Sequence, residues 1–427
     1  MKKPGFSIFL FLLALTVISV VSGYAFFDKQ TISEKENRTL AKQPDLTVSS
    51  WFSGDFARDM EQFLTDHIFE RTQLISAAQS FEKLLERKTE IKLVTHATDM
   101  GEEMQNAHQP SGVADVTPGT VKDELSTTQT ESDQQDQILL ADRILTVYKN
   151  NLTTMNYYEK TANSLYALFP DYVKKYCFLV PSRIAFEAPE YTRYSDDQQV
   201  AIQTVYQALD NLVTKVNVFS ALKTHSEDLN QLYFRTDHHW TSLAAYYAAE
   251  ALWKSIDMDY VPIEKYEQRK GKPFLGYLYA QNPSSGIDEY PDELLYYVKN
   301  NHICPEMLYL PDKDGKLEPE QTETLNPLRQ GYYTFLGSSF SHVVIDGSAT
   351  NGSCLLVIAD SYGNVLAPWL AENFDTVIQI DPRYFSGGKV EMMALVSEYG
   401  VTDFMLVNYS VVLQSPYFVS QMENLLK

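Results

Sequence analysis

Leu355-Leu356-Val357-Ile358-Ala359 is an unbroken apolar run of strand length, and it restricts the folds open to this chain. A strand with one wet face alternates apolar and polar residues. A run without alternation is buried on both faces, as in a parallel sheet covered by helices. A helical pattern follows from about Asn364 to Asn373, then apolar stretches at Thr376–Ile380 and Phe404–Val407. Upstream, Tyr176–Val180 is a short strand-like run stopped by Pro181, and a helix is expected over about 197–214. Val216–Phe219 and Gln231–Phe234 read as further strands, and Ser242–Ile256 as a helix with Thr241 or Ser242 as its N-cap. Strands separated by helices predict an α/β fold with a parallel sheet between helical layers. Residues 257–350 break the rhythm: rich in Tyr, Gly and Pro, with the run Leu294–Val298, they predict an inserted irregular β region. Cys177 and Cys354 fall inside apolar runs and read as buried thiols, and none of the three cysteines stands in a CxxC pattern.

The N-terminus constrains the compartment. Lys2 and Lys3 precede an uncharged run from Phe6 to Phe27. At a rise of ~1.5 Å per residue such a run spans ~33 Å, enough for the hydrocarbon core of a bilayer. The two lysines keep the N-terminus cytoplasmic and send Asp28 onward to the other side. The run exceeds the ~7–15 residues of a signal-peptide core, which favours an uncleaved single-pass anchor over cleavage after Gly23 or Ala25. The working part is then extracytoplasmic, where nucleotide cofactors and coenzyme A are scarce. No phosphate-binding Gly-rich loop occurs, and no cofactor or resident metal is expected.

The 427 residues carry a formal charge of −21. A nucleic-acid binder needs a basic face, so nucleic acid is excluded as a partner. Residues 97–137 hold nine acids, one base (Lys122) and no aromatic residue. They cannot bury enough apolar surface to offset the entropy of ordering, and read as a disordered acidic linker or insertion. That segment accounts for −8 of the charge and leaves −13 for the rest. The expected organisation is an anchor at 1–27, a helical part at 28–96 containing an amphipathic helix at 55–87, the linker, and an α/β domain at 138–427 with its insertion at about 257–350.

Two short segments carry candidate chemistry. Asp360-Ser361-Tyr362-Gly363-Asn364 directly follows the buried run. Ligands bind outside the carboxyl ends of strands in open α/β sheets, and the start of the next helix offers free N–H groups to an oxyanion. Gly363 would let a ligand approach the backbone. The plainer reading makes Ser361 only the N-cap of that helix. A serine nucleophile needs a base, and the base an orienting carboxylate. Asp237-His238-His239-Trp240 supplies both, since Asp237 and His239 can pair either across an extended segment or within a turn. His239 would take the Ser361 proton near neutral pH while Asp237 sets its tautomer. A metal site is the competing reading, with Asp237, His238 and His239 joined by His225, His302 or His342, although no HxxxH or HExxH spacing is present.

The Asp-His-His-Trp run resembles the signature of the DHHW protein family, which is similar to the periplasmic alginate O-acetylation proteins with their SGNH-hydrolase-like fold. Glu36-Asn37-Arg38-Thr39-Leu40 with Pro44, and Phe63-Leu64-Thr65-Asp66-His67 with Arg71, resemble the family's opening blocks. Val180-Pro181-Ser182 resembles the strand end before a substrate loop, which here begins at Arg183. The Ser361 block, Ala367-Pro368-Trp369-Leu370 and Ile380-Asp381-Pro382-Arg383-Tyr384-Phe385 resemble the family's last part. The likeness covers roughly residues 30–95 and 138–427. It implies a three-layer α/β/α domain and a triad of Asp237, His239 and Ser361, with Tyr362, Gly363, Asn364, Ser339, Trp240, His238 and Arg183 around the oxyanion and substrate. It also implies acetyl groups delivered by a partner membrane acyltransferase to an extracellular polysaccharide. In one respect the chain departs from the pattern: Gly337-Ser338-Ser339 stands where an Asn donor is usual. The expected function is an O-acetyltransferase or acetylesterase of a cell-surface polysaccharide. The alternatives are a non-catalytic carbohydrate-binding or scaffold protein and a metal-dependent hydrolase.

Overall fold

The computed structural model describes residues 136–282, 287–311, 317–329, 331–337 and 340–427, with scattered residues between 32 and 94. The expected membrane span, most of the helix at 55–87, and the linker up to residue 135 lie outside these. Among the described residues no helix is long and apolar enough to cross a membrane.

The main sheet has eight strands: β1 (Lys174–Val180), β2 (Val213–Lys215), β3 (Pro305–Pro311), β4 (Leu317–Glu323), β5 (His342–Asp346), β6 (Cys354–Ala359), β7 (Thr376–Ile380) and β8 (Asp403–Tyr409). Their spatial order is β4-β3-β5-β7-β6-β8-β1-β2. Strands β7, β6, β8, β1 and β2 run parallel, while β5, β3 and β4 extend the sheet antiparallel. The result is a mixed α/β fold with a large, mostly parallel sheet. Every residue of β6 and β8 is buried, so both faces of the sheet centre are covered, as the unbroken apolar run demanded. Leu356 and Ile358 are fully buried, each worth ~1.5–3 kcal/mol relative to exposure.

The main helices are α1 (Leu152–Tyr166), α2 (Gln198–Ala208), α3 (Val218–Thr224), α4 (Ser242–Ser255), α5 (Tyr362–Ala371), α6 (Gly388–Tyr399) and α7 (Pro416–Asn424). The Thr241 hydroxyl caps α4 by accepting the Ala244 N–H at 3.2 Å, as its position before the apolar run suggested. Cys177, Cys304 and Cys354 are all buried free thiols.

Three expectations need correction. Val216–Phe219 is not a strand: the strand is Val213–Lys215, and Asn217 then takes the Ser220 N–H at 3.0 Å to start α3. A polar cap overrides the β preference of the adjacent valines. Gln231–Phe234 is likewise not a strand: Asp228 caps a helical turn at Leu229–Leu232, and only Tyr233 bridges back, to Trp240. The region 257–350 is only in part an insertion. Glu267–Lys270 pairs with Leu295–Val298 in a separate hairpin, but β3, β4 and β5 belong to the main sheet, with β5 in register against β7.

Candidate functional site

The site forms where the sheet changes direction. From β6 the chain passes through α5 to β7 on one flank, then through α6 to β8 on the other. A crevice opens at the carboxyl end of the strand around which such a switch occurs. Ser361 stands there, two residues past Ala359 and partly exposed.

Ser361 occupies the N-cap position of α5, yet its side chain makes no capping bond. Asp360 does that work instead. Its Oδ1 accepts the Tyr362 N–H at 2.9 Å and its Oδ2 the Tyr409 N–H at 2.8 Å. The Ser361 hydroxyl is therefore free to face elsewhere, which removes the plainer reading of this residue. The Ser361 N–H, at the open end of α5, has no backbone or side-chain acceptor among the described residues.

Asp237 and His239 come from a pinched loop. Its base is closed by the Tyr233–Trp240 bridge and by the Phe234 N–H, which donates to the His239 carbonyl at 3.2 Å. Buried Asp292 holds the tip, accepting the N–H groups of Arg235 at 2.7 Å and Thr236 at 2.8 Å. Of the two pairings open in the sequence, the turn is realised. Asp237 Oδ1 accepts the His239 N–H at 2.9 Å and lies 2.6 Å from His239 Nδ1. His239 Nε2 lies 2.8 Å from Ser361 Oγ. An ionised carboxylate only accepts, so the hydrogen-bond pattern assigns the proton to Nδ1 and leaves Nε2 to accept the Ser361 O–H. Burial by itself would raise the Asp237 pKa. Attraction to His239, its hydrogen bond and the Tyr277 N–H outweigh that and hold the carboxyl below the usual range.

Gly276 makes this geometry fit. The Tyr277 N–H donates to Asp237 Oδ2 at 3.0 Å. A Cβ on Gly276 would sit 2.3 Å from Asp237 Cβ and 2.5 Å from its Oδ2, so only glycine lets the two segments come this close.

Ser361 opens into a cleft that is continuous with solvent and lined by His238, Tyr277, Gln281, Arg383, Tyr409 and Tyr417 among others. His238 is a quarter exposed. Burial, first of all, lowers its pKa to about 3. Its Nδ1 has no hydrogen-bond partner among the described residues. Arg383 is gripped by Asp381 through Nε at 3.0 Å and Nη2 at 2.7 Å.

Other residues expected near the substrate have different surroundings. Tyr362 lines the cleft, but it is buried and its hydroxyl donates to the His238 carbonyl at 2.5 Å. Trp240 is buried and donates to the Tyr362 carbonyl at 3.1 Å. Arg183 is also buried: it binds Glu187 at 2.8 Å, Asn230 at 2.9 Å and the Tyr233 carbonyl at 3.2 Å, which braces the base of the loop and leaves it out of the cleft. The clearance at Gly363 is taken by Ala359 and Gln379, 2.5 and 2.9 Å from where a Cβ would lie, rather than by a ligand. Asn364 accepts from Gln379 Nε2 at 2.9 Å. Ser339 lies outside the described residues. Asp292, Gly276 and Tyr277 carry no local sequence signal, because the residues they support are distant in the chain, whereas Arg383 lies in the block that resembles the family's last part.

Ligand atoms of Asp237, His238 and His239 lie within 4.8 Å of one another. The additional ligands of the metal reading are not beside them. His225 stacks on Tyr247 at 3.6 Å, His342 stacks on Tyr309 at 4.2 Å, and His302 groups with Cys304 and Glu372.

The family model described as "DHHW protein" matches residues 83–380, a span that contains both loops of the site. Among solved structures, the chain is similar to a DHHW family protein from Eubacterium siraeum, with 24% identity, 69% of this chain and 96% of that chain covered, and a TM-score of 0.59. It is also similar to Bacillus cereus PatB1, with 18% identity, 65% and 97% covered, and a TM-score of 0.54. The same protein with a sulfonyl adduct aligns at 16% identity, 65% and 95% covered, with a TM-score of 0.53. These likenesses are of fold. Nothing among the curated proteins matches. As the family model spans well over half of the sequence, this chain belongs to the DHHW protein family.

Proposed function

We propose that this protein is a serine-dependent O-acetyltransferase or acetylesterase acting on a cell-surface polysaccharide. The observation that carries the reading is the unbroken relay from Asp237 through His239 to Ser361, at 2.6 and 2.8 Å, ending in an open cleft. In this reading Ser361 Oγ attacks an acetyl carbonyl while its proton passes to His239 Nε2. The carbonyl π electrons move onto the oxygen, and the Ser361 N–H faces that oxyanion. When the tetrahedral centre collapses, the bond to the leaving oxygen breaks and His239 returns the proton to it. Acetyl-Ser361 remains. A sugar hydroxyl then repeats the sequence in reverse, losing its proton to His239 and restoring Ser361. In an esterase, water takes the hydroxyl's place. Asp237 stays ionised throughout and stabilises the imidazolium.

Polysaccharide enters the proposal through the resemblance to the alginate O-acetylation proteins and through the cleft's walls, where Tyr277 and Tyr417 offer partly exposed rings. The same resemblance supports a three-layer α/β/α domain held outside the cytoplasmic membrane by residues 6–27, with acetyl groups supplied by a membrane acyltransferase. The experiment is labelling with a sulfonyl fluoride, the class of reagent suggested by the sulfonyl adduct of Bacillus cereus PatB1, together with hydrolysis of p-nitrophenyl acetate. Ser361 is expected to be labelled, and Ser361→Ala to lose both labelling and hydrolysis. An unlabelled protein that hydrolyses no acetyl ester would instead be the non-catalytic scaffold.

A further inference from the structure

A hydrogen bond from Asp237 fixes one atom of the His239 ring but not the plane of the ring. That plane decides whether Nε2 aims at Ser361. One residue far from both loops in sequence settles it. The Tyr332 ring lies flat on the His239 imidazole, with centroids 3.6 Å apart and planes 8° from parallel. Its hydroxyl donates to the Ser361 carbonyl at 2.8 Å. Tyr332 thus contacts the base with its face and the nucleophile's backbone with its tip. It is itself immobilised. It is buried, and Phe335 and Phe234 meet it edge-on at 5.6 and 6.4 Å. The turn that presents it starts at Gly331, whose φ is +60° and where a Cβ would meet Phe274 at 2.9 Å. A left-handed glycine pressed against a phenyl ring leaves the short helix Gly331–Thr334 little freedom to shift.

We propose that Tyr332 is a positioning residue for the reaction. It locks the imidazole plane, holds the turn that carries Ser361, and places an aromatic face against the imidazolium that forms when His239 takes the proton. A cation over a desolvated ring face is attracted by the ring quadrupole, so the contact strengthens as the proton arrives, in the transition state rather than in the ground state. Such an interaction acts on kcat and leaves KM largely alone. The proposal rests on Asp237, His239 and Ser361 being the catalytic set.

The experiment compares Tyr332→Phe, Tyr332→Leu and Ser361→Ala in p-nitrophenyl acetate hydrolysis and in the rate of sulfonyl fluoride labelling. Tyr332→Phe keeps the stack and loses one hydrogen bond, for an expected drop in kcat of about fivefold. Tyr332→Leu also loses the ring, for a further drop of roughly 10- to 30-fold. Labelling slows in the same order, and KM stays nearly constant. A Tyr332→Leu protein as fast as wild type, a loss confined to KM, or equal losses in Leu and Phe would each overturn the proposal. If Tyr332→Leu does not fold, Tyr332→Phe decides alone: an unchanged rate overturns it. Ser361→Ala separates the two levels. If that variant stays active, the catalytic set itself is wrong. If it is dead while the Tyr332 variants are unimpaired, only the role of Tyr332 falls.

Discussion

Replacing Gly276 with Ala should slow catalysis although Gly276 touches no reacting atom. Its backbone, at φ −90° and ψ −167°, is extended and open to any L residue, so dihedral strain contributes nothing. The effect is steric. The new methyl would lie 2.3 Å from Asp237 Cβ, 2.5 Å from Oδ2 and 2.8 Å from Cγ. Carbon atoms rest at ~3.5–4 Å, so the segments must part by about 1 Å. Asp237 cannot yield alone, because its Oδ1 is bound to both the N–H and the ring of His239. Either the carboxylate moves and drags the imidazole off Ser361, or the Tyr277 N–H loses its acceptor. Overpacking of this kind costs ~1–3 kcal/mol of stability, which lowers the melting temperature without unfolding a domain of this size. A misplacement of ~1 Å at a catalytic group costs roughly 100-fold in rate. The assay is steady-state hydrolysis of p-nitrophenyl acetate near neutral pH, with a thermal melt on the same preparation. The expected result is a kcat about 100-fold lower at nearly unchanged KM. A folded Gly276→Ala protein with kcat within about threefold of wild type would refute the argument that Asp237 is clamped in this position.

Two further substitutions test the electrostatics. Asp237→Asn keeps the shape but not the charge, and under the proposed mechanism should lower kcat by about 10⁴-fold, the loss known for Ser–His–Asp sites. The depressed Asp237 pKa also contributes stability that is complete above the unfolded carboxylate value near ~4 and is lost as pH falls through the lower folded value. Urea midpoints at acid pH should therefore fall less steeply in Asp237→Asn, and equal slopes would count against the paired carboxylate. Glu306 presents the opposite case. It is buried in β3, neither carboxyl oxygen has a hydrogen-bond partner among the described residues, and burial raises its pKa to about 8. Its folded form holds the proton more tightly than the unfolded chain does, so stability is retained at acid pH and lost as pH rises towards that value. Glu306→Gln should remove a penalty on the order of a few kcal/mol at mildly alkaline pH. A pH dependence of Tm unchanged by the substitution would rule out a buried, unpaired carboxyl here.

What could be read in the chain was local. The alternation of apolar runs and helical patterns specified an α/β fold with a buried parallel centre, because a strand covered on both faces leaves its mark residue by residue in β6, β7 and β8. The candidate relay was legible for a similar reason. Ser361 directly follows the most apolar strand, and Asp237 and His239 are two residues apart, within reach of one turn. Properties that depend on distant partners were not legible. The antiparallel edge arises because β5 pairs with β7 and β3 and β4 add on beyond it, and β-branched residues fit any such partner. Gly276 and Tyr332 belong to a Gly- and Tyr-rich stretch whose composition says nothing of what it packs against. Arg183 matched an expected substrate loop, yet tertiary packing turned it inward, where its guanidinium satisfies loop carbonyls that would otherwise be buried unpaired. Sequence alone determined which residues are candidates for chemistry, since reactivity resides in side-chain type and local turn. Tertiary structure decided which of them meet, because a 2.8 Å contact between residues 122 positions apart exists only once the sheet has brought two loops to one end.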